Sequence, residues 1–325
     1  MSEFLGNYVD HEMTSPWAMA RRSAKVKPIS NDLARNGVLL VASCVRVEVY
    51  GQVQALRSID KTIFSGFSPA RIEGAVNIIR RLAEIASGAR SQVLGDNYIG
   101  DQLVKAIKPL DKKLPIFQMV RLAIDVGRAS RERQRFTASF NYCHVIRDII
   151  ADRFPSGELP DCLYMIGADK LARELIRGGV GERFRSTTIV TRNPKNLRKR
   201  LRAWTDIDVA LARPADIENA RPRSMVVISG ADVNDEYQAV LQSALLRLEP
   251  RTIVDTSQVP VLSRLALADI NYVTVFDEEF LRAVDKNNRQ MSLKLPRVLA
   301  DIEETLQAAH TYLSATPPSA TAPGP

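Results

Sequence analysis

A cysteine, an arginine, a glutamate and a tyrosine recur at every second position in VASCVRVEVYG, Val41 to Gly51: Cys44, Arg46, Glu48 and Tyr50. In an extended segment side chains two apart share a face, so these four point one way and Val45, Val47 and Val49 the other. A thiol then lies beside a fixed positive charge. The thiolate is the nucleophile, and a neighbouring guanidinium favours it by lowering the thiol pKa below its free value of about 8.5. The same residues also suit a half-buried strand in which Arg46 and Glu48 pair in solvent while Cys44 fills space.

A second constellation begins at Gly167. The apolar run CLYMIGA ends there and enters DKLARELIRGG, where a dinucleotide-binding fold places its phosphate turn. Reading Gly-x-Gly-x-x-Gly through Gly167 and Ala168 puts Asp169 at the second glycine and Ala172 at the third. Ala172 allows close helix packing, whereas the Asp169 carboxylate stands where a pyrophosphate would approach the backbone, and repels it. At the end of the next apolar run, Thr191, Arg192 and Asn193 fall where the adenosine ribose would lie. An arginine there, with no acidic residue for the ribose hydroxyl, suits a 2′-phosphate and hence NADPH over NADH; equally, Arg192 belongs to a basic cluster.

These residues must be positioned by two kinds of domain. In the first half, GVLLVAS and VRVEVYG read as strands, while ARIEGAVNIIRRLAEIASG, DQLVKAIKPL and PIFQMVRLAIDVGRASRERQ carry apolar residues at helical spacing, so this is an α+β domain. RFPSGELPD, with Pro155, Gly157 and Pro160, reads as a linker. Beyond it, CLYMIGA, RSTTIVTRN, SMVVISGA, RTIVDTS and NYVTVF are short apolar runs separated by helical or polar stretches, as in a parallel α/β sheet. A last helical stretch runs to Leu313, interrupted at Pro296, and SATPPSATAPGP reads as a disordered tail. The expected domains are 1–154, 155–284, a helical segment 285–313 and the tail 314–325.

The 325 residues allow two separate cores, and 45% hydrophobic with 25% charged residues is ordinary for a soluble globular chain. Cys44, Cys143 and Cys162 are too scattered for a metal pair or a disulfide framework; with no leader-like segment and no membrane-length apolar run, a reducing cytoplasm is the expected compartment. The net charge of +8 points to a polyanionic partner. It concentrates in Arg183 to Arg202 and in Arg121, Arg128, Arg131, Arg133 and Arg135, each of which also suits a solvated helix face.

Together these pieces resemble glutamyl-tRNA reductase. VASCVRVEVYG resembles that family's Ser-Thr-Cys-Asn-Arg-Thr-Glu-(Ile/Val)-Tyr, and IASGARSQVLGD its Val-Ala-Ser-Gly-Leu-Asp-Ser-x-Val-Leu-Gly-Glu. DVGRASRE resembles its Val-Gly-Lys-x-x-Arg stretch and VDHEMTSP its Asn-His-Lys-Thr-Ala-Pro turn, in the same order over roughly residues 8 to 290. The resemblance implies an α+β N-terminal catalytic domain, an α/β Rossmann-like NADP-binding domain and a shortened C-terminal helical segment. It implies that Cys44 attacks the ester of an aminoacyl-tRNA, glutamyl-tRNA above all, and that NADPH reduces the thioester to glutamate 1-semialdehyde. That step belongs to tetrapyrrole (porphyrin) biosynthesis, and an aminotransferase would accept the aldehyde.

By the same resemblance Ser43, Arg46, Glu48, Ser91, Asp96 and Gln102 bind substrate, Arg46 by holding the substrate's side-chain carboxylate. Gly167, Ala168, Asp169, Thr191, Arg192, Asn193 and Ser229 bind NADPH, with no metal. Val45 and Val47 replace polar residues of the family pattern, and Arg81 stands at the family's histidine, where it cannot serve as a base near neutral pH. Two other readings follow from these departures: a non-reducing relative that binds aminoacyl-tRNA or a partner reductase, and an acyl-transfer enzyme using Cys44.

Overall fold

The computed structural model describes residues 3–57, 59, 63–96, 98–155, 160–168, 170–201, 209–217, 224–229, 235–257, 260–262 and 270–315. Two compact units are present, residues 1–139 with 286–325, and residues 140–285.

The first unit is built on an antiparallel sheet of β1 (Phe4–Asp10), β2 (Leu39–Ser43), β3 (Arg46–Gln52) and β4 (Ala70–Glu73), in the order β2-β3-β1-β4. Both faces are covered. Leu5, Val9, Leu40, Val47 and Val49 face a cluster that includes Met19, Val26 and Leu33. Phe4, Leu39, Val41 and Tyr50 face the helices Ala75–Ser87 and Pro115–Arg133. The alternation in VRVEVYG therefore separates two buried faces, and the pairing of Arg46 with Glu48 takes place inside the protein rather than in solvent.

The expected continuous strand across Val41 to Gly51 is broken. Ser43 pairs directly with Arg46, which makes Cys44 and Val45 the two-residue turn of a hairpin. β1 was not expected, because Gly6 and Asn7 disfavour a strand by composition. It forms by pairing with both β3 and β4, and glycine is required where Gly6 passes beneath Tyr50, since a Cβ there would lie 2.5 Å from Tyr50 Cδ1.

The helix Leu295–Ala315 packs on the first unit, burying Val298, Ile302 and Leu306 among the helices Ala75–Ser87 and Pro115–Arg133. Arg133 to Asp301 (2.8 Å) and Arg80 Nη2 to Glu303 (3.1 Å) fasten its outer side. Pro296 stands in its first turn, where a missing N–H costs nothing, and the helix Glu278–Ser292 ends before it. The expected tail falls outside the described residues from 316 onward.

The second unit holds a parallel sheet, β5 (Cys162–Ile166), β6 (Ser186–Val190), β7 (Val209–Ala212), β8 (Met225–Ile228), β9 (Thr252–Asp255) and β10 (Asn271–Thr274), in the order β10-β9-β8-β5-β6-β7. This is the doubly wound, Rossmann-like order with its switch point between β5 and β8. The short edge strand β7, VALA, carries little β propensity and went unread. The helix Tyr142–Arg153 belongs to this unit by packing: Cys143, Val145, Ile146, Ile149 and Ile150 join the core around Leu163 and Met165. The units thus part at 139/140, ahead of the Pro/Gly stretch.

Candidate functional site

In the first unit the polar face of β3 carries a buried charge network. Arg46 and Glu48 are 0% exposed, and Arg81, from the helix Ala75–Ser87, is 3% exposed. Glu48 Oε1 accepts from Arg81 Nη2 at 2.8 Å and Arg46 Nη1 at 3.3 Å; Oε2 accepts from Arg81 Nε at 3.3 Å and from the Tyr50 hydroxyl. Arg81 Nη2 also donates to Asp10 at 2.9 Å, and its guanidinium lies 3.3 Å from the Tyr8 ring centre. Burial pushes the Asp10 carboxyl up, but the Arg81 hydrogen bond and charge outweigh it and hold the pKa below the usual value. Two cations and two carboxylates balance, which is how charge survives burial. Arg81, at the family histidine's position, is thus committed to holding Glu48 and Asp10.

Cys44 sits at the open end of this network, half-buried in the hairpin turn. Burial raises its thiol pKa; the charges of Lys27 and Arg46 offset part of that rise, and Asp96 adds to it. The expectation that a neighbouring arginine would keep a thiolate formed is therefore reversed: Arg46 acts on Cys44 only weakly because its guanidinium is turned into the network and to the Arg90 carbonyl. A proton acceptor is needed at this end of the sheet. His11 stands just past the end of β1, where Asp10 opposes Arg46; burial and the Arg46 charge lower its pKa. His11 was not among the residues expected at the site, although it lies in the stretch VDHEMTSP.

Five buried polar atoms of this unit have no hydrogen-bond partner among the described residues: His11 Nδ1, Ser23 Oγ, Arg46 Nε, Ser91 Oγ and Gln102 Oε1. Arg46 is joined to the loop preceding Ser91 through the Arg90 carbonyl. Buried donors and acceptors left open are costly, and Arg46 Nε and Ser91 Oγ are two such groups in segments joined through that carbonyl. The other expected substrate residues have local partners. Ser43 Oγ accepts from Val45 N at 3.3 Å, and Asp96 Oδ1 accepts from Tyr98 N at 2.8 Å. Both Glu48 oxygens are held by protein donors.

In the second unit the expected cofactor residues gather at the carboxyl ends of β5, β6 and β8. Gly167 has φ +101°, a conformation that L side chains rarely adopt, and its N–H donates to Val190 O at 2.9 Å. Ala168 packs at the core edge, and Ala172 is fully buried beneath the turn. Ser229 Oγ donates to Ile166 O at 3.0 Å, joining the strands at the switch point. Thr191 Oγ1 accepts from Asn193 N, and Asn193 Oδ1 from Asn196 N at 3.2 Å, at the start of the helix Pro194–Leu201. Arg192 is exposed, its guanidinium 4.9 Å from the Tyr237 ring centre. Asp169 lies outside the described residues. The left-handed glycine at the switch point and the exposed Arg192 fit a dinucleotide with a 2′-phosphate. Among the described residues no cluster suited to a metal ion occurs, and no helix is long and apolar enough to cross a membrane.

Of the expected basic sets, the one on Pro115–Arg133 is largely committed internally. Arg131 donates to the carbonyls of Gly95 and Asp96, Arg133 to Asp301, and Arg128 faces Asp101 at 3.6 Å.

No protein-family model matches the chain. It is 48% identical over 310 residues to Protein nfe2 of Rhizobium meliloti, covering 95% of this chain and 100% of that protein. It is 25% identical over 294 residues to glutamyl-tRNA reductase of Aeropyrum pernix, covering 86% of this chain and 68% of that protein, a distant homology that supports an oxidoreductase family. Among solved structures, glutamyl-tRNA reductase from Methanopyrus kandleri matches 96% of this chain and 81% of its own at 18% identity and TM-score 0.49. A chorismate mutase/shikimate 5-dehydrogenase fusion protein from Clostridium acetobutylicum matches 51% of this chain and 63% of its own at 11% identity and TM-score 0.33.

Proposed function

We infer, starting from the fact that this chain belongs to the family of the Rhizobium meliloti Protein nfe2 and is a distant relative of glutamyl-tRNA reductase, that it is an NADPH-dependent reductase of an aminoacyl-tRNA, glutamyl-tRNA first, acting through Cys44. The observation that carries this reading is the set of open buried polar atoms, Arg46 Nε, Ser91 Oγ and Gln102 Oε1, in the unit that holds the Cys44 turn. A carboxylate-bearing acyl group would satisfy the guanidinium, and Ser91 and Gln102 would fix its orientation.

In the first step the Cys44 thiol gives its proton to His11 and Sγ attacks the ester carbonyl. The bond to the tRNA 3′ oxygen breaks, that oxygen takes up the proton, and an acyl thioester remains on Cys44. Because burial raises the Cys44 pKa, the step needs a base at the moment of attack rather than a standing thiolate. Gly167, Thr191, Arg192, Asn193 and Ser229 would hold NADPH, which when bound supplies a hydride to the acyl carbon.

The test is intact-protein mass measurement after mixing with glutamyl-tRNA, then addition of NADPH with trapping of the aldehyde. A glutamyl adduct on the native chain, missing in Cys44→Ala and cleared by NADPH to an aldehyde, is expected. No adduct, or an adduct that persists in Cys44→Ala, overturns the reading. An adduct that NADPH leaves untouched would decide for the acyl-transfer reading.

A further inference from the structure

The helix Pro16–Val26 presents a stripe that the site does not use. Its inner side, with Met19, Ala20 and Val26, is buried against the sheet. Its outer side carries Trp17, Arg21 and Lys25 at successive i, i+4 positions, about 6 Å apart along the axis, and Lys27 just beyond the last turn. Trp17 is 48% exposed, the most exposed large aromatic side chain among the described residues, with the Arg21 guanidinium 4.4 Å from its ring centre.

The stripe is cationic without compensation. No aspartate or glutamate occurs between Met13 and Asn31. Among the described residues, Arg21, Lys25 and Lys27 form no ion pair, unlike Arg128 and Arg133 on the helix Pro115–Arg133. The helix packs on β2 and β3, the two strands that flank the Cys44 turn. An exposed aromatic ring with a row of cations that form no ion pair among the described residues has the chemistry of a track for single-stranded nucleic acid, with a base stacked on the ring and phosphates on the cations.

We propose that the Trp17–Arg21–Lys25–Lys27 stripe binds the single-stranded 3′ end of an RNA. The identity of the RNA as aminoacyl-tRNA rests on the function proposed above; the RNA-binding stripe does not. A membrane surface would also attract a Trp- and Lys-bearing helix, but the apolar side that such a helix would insert is already buried in the core.

The test uses the full-length chain with uncharged tRNA, and anionic lipid vesicles as a separate probe. Stacking on an aromatic ring is worth about 1–3 kcal/mol per base, so Trp17→Ala should weaken tRNA binding about 5- to 150-fold while Trp17→Phe retains most of it. Arg21→Ala/Lys25→Ala should reduce the slope of log affinity against log salt by roughly 1.4, as two lost contacts to a single strand require. Acylation of Cys44 by a small glutamyl thioester lacking RNA should be unchanged in both variants.

Unchanged tRNA affinity and salt slope in the variants, or a native chain that binds vesicles and no tRNA, overturns the stripe even if Cys44 is acylated from glutamyl-tRNA. Stripe-dependent tRNA binding without any Cys44 adduct upholds it and overturns the reductase reading instead.

Discussion

Replacing Glu48 by glutamine tests whether the buried network is a charge-balanced unit. The carboxylate receives four donors, two from Arg81, one from Arg46 and one from Tyr50, at a position with no solvent exposure. Glutamine keeps one acceptor oxygen, turns the other into an NH2 facing guanidinium groups, and leaves two buried cations against the single Asp10 carboxylate. Removing one partner of a buried ion pair costs about 3–5 kcal/mol, a large share of the roughly 5–15 kcal/mol of a whole domain. For a unit of this size that corresponds to a fall in Tm of about 6–20 °C.

Calorimetry and urea unfolding would measure it. The register adds a second measurement. Asp10 and Arg46 are directly paired across β1 and β3. Removing Arg81 together with Glu48, as Glu48→Gln/Arg81→Met, leaves one cation and one carboxylate facing each other. The double variant should then be more stable than the sum of the single changes by about 0.5–3 kcal/mol. A Glu48→Gln loss below about 1 kcal/mol, or strict additivity in the cycle, would refute the charge-balance argument.

Three further outcomes are expected. Asp10 has a lowered folded pKa, so its stabilisation is present above the unfolded value of about 3.9 and is lost as pH falls through the folded one. Accordingly Asp10→Asn should be less stable at pH 7, with the difference from the native chain shrinking in acid unfolding below about pH 4; a gap that stays constant would contradict this. The Cys44 thiol should be alkylated by iodoacetamide with a midpoint above the ordinary cysteine value, and Lys27→Met should move it higher still, because that charge partly offsets burial; a midpoint below about 8.5 would show the environment to be misread. Ile302→Ala, in the helix packed on the first unit, should cost about 2–4 kcal/mol by urea unfolding, and a loss under about 1 kcal/mol would mean that this helix contributes little to the core.

Sequence alone determined the elements whose periodicity is local. Five apolar runs became β5, β6, β8, β9 and β10, and the helical spacing of AVNIIRRLAEIAS and PIFQMVRLAIDVG became the two helices that cover the first sheet. The alternation of Arg46, Glu48 and Tyr50 with Val47 and Val49 fixed which side chains share a face. It was silent on whether that face met water, because alternation looks the same when both faces are covered. Tertiary structure decided that.

Packing of Ala75–Ser87 over β3 brought Arg81 to Glu48 from far along the chain and turned a solvent pair into a buried network. Hairpin pairing of Ser43 with Arg46 moved Cys44 from a strand into a turn, and burial reversed the expected direction of its pKa. Which basic residues were free was likewise a tertiary matter. Arg131 and Arg133 are consumed by carbonyls and by Asp301, brought near only by the fold, whereas Arg21 and Lys25 stand on a helix face with no acid within reach in sequence or, among the described residues, in an ion pair. Side-chain spacing sets the direction in which a charge points, but only the packed chain determines what it meets.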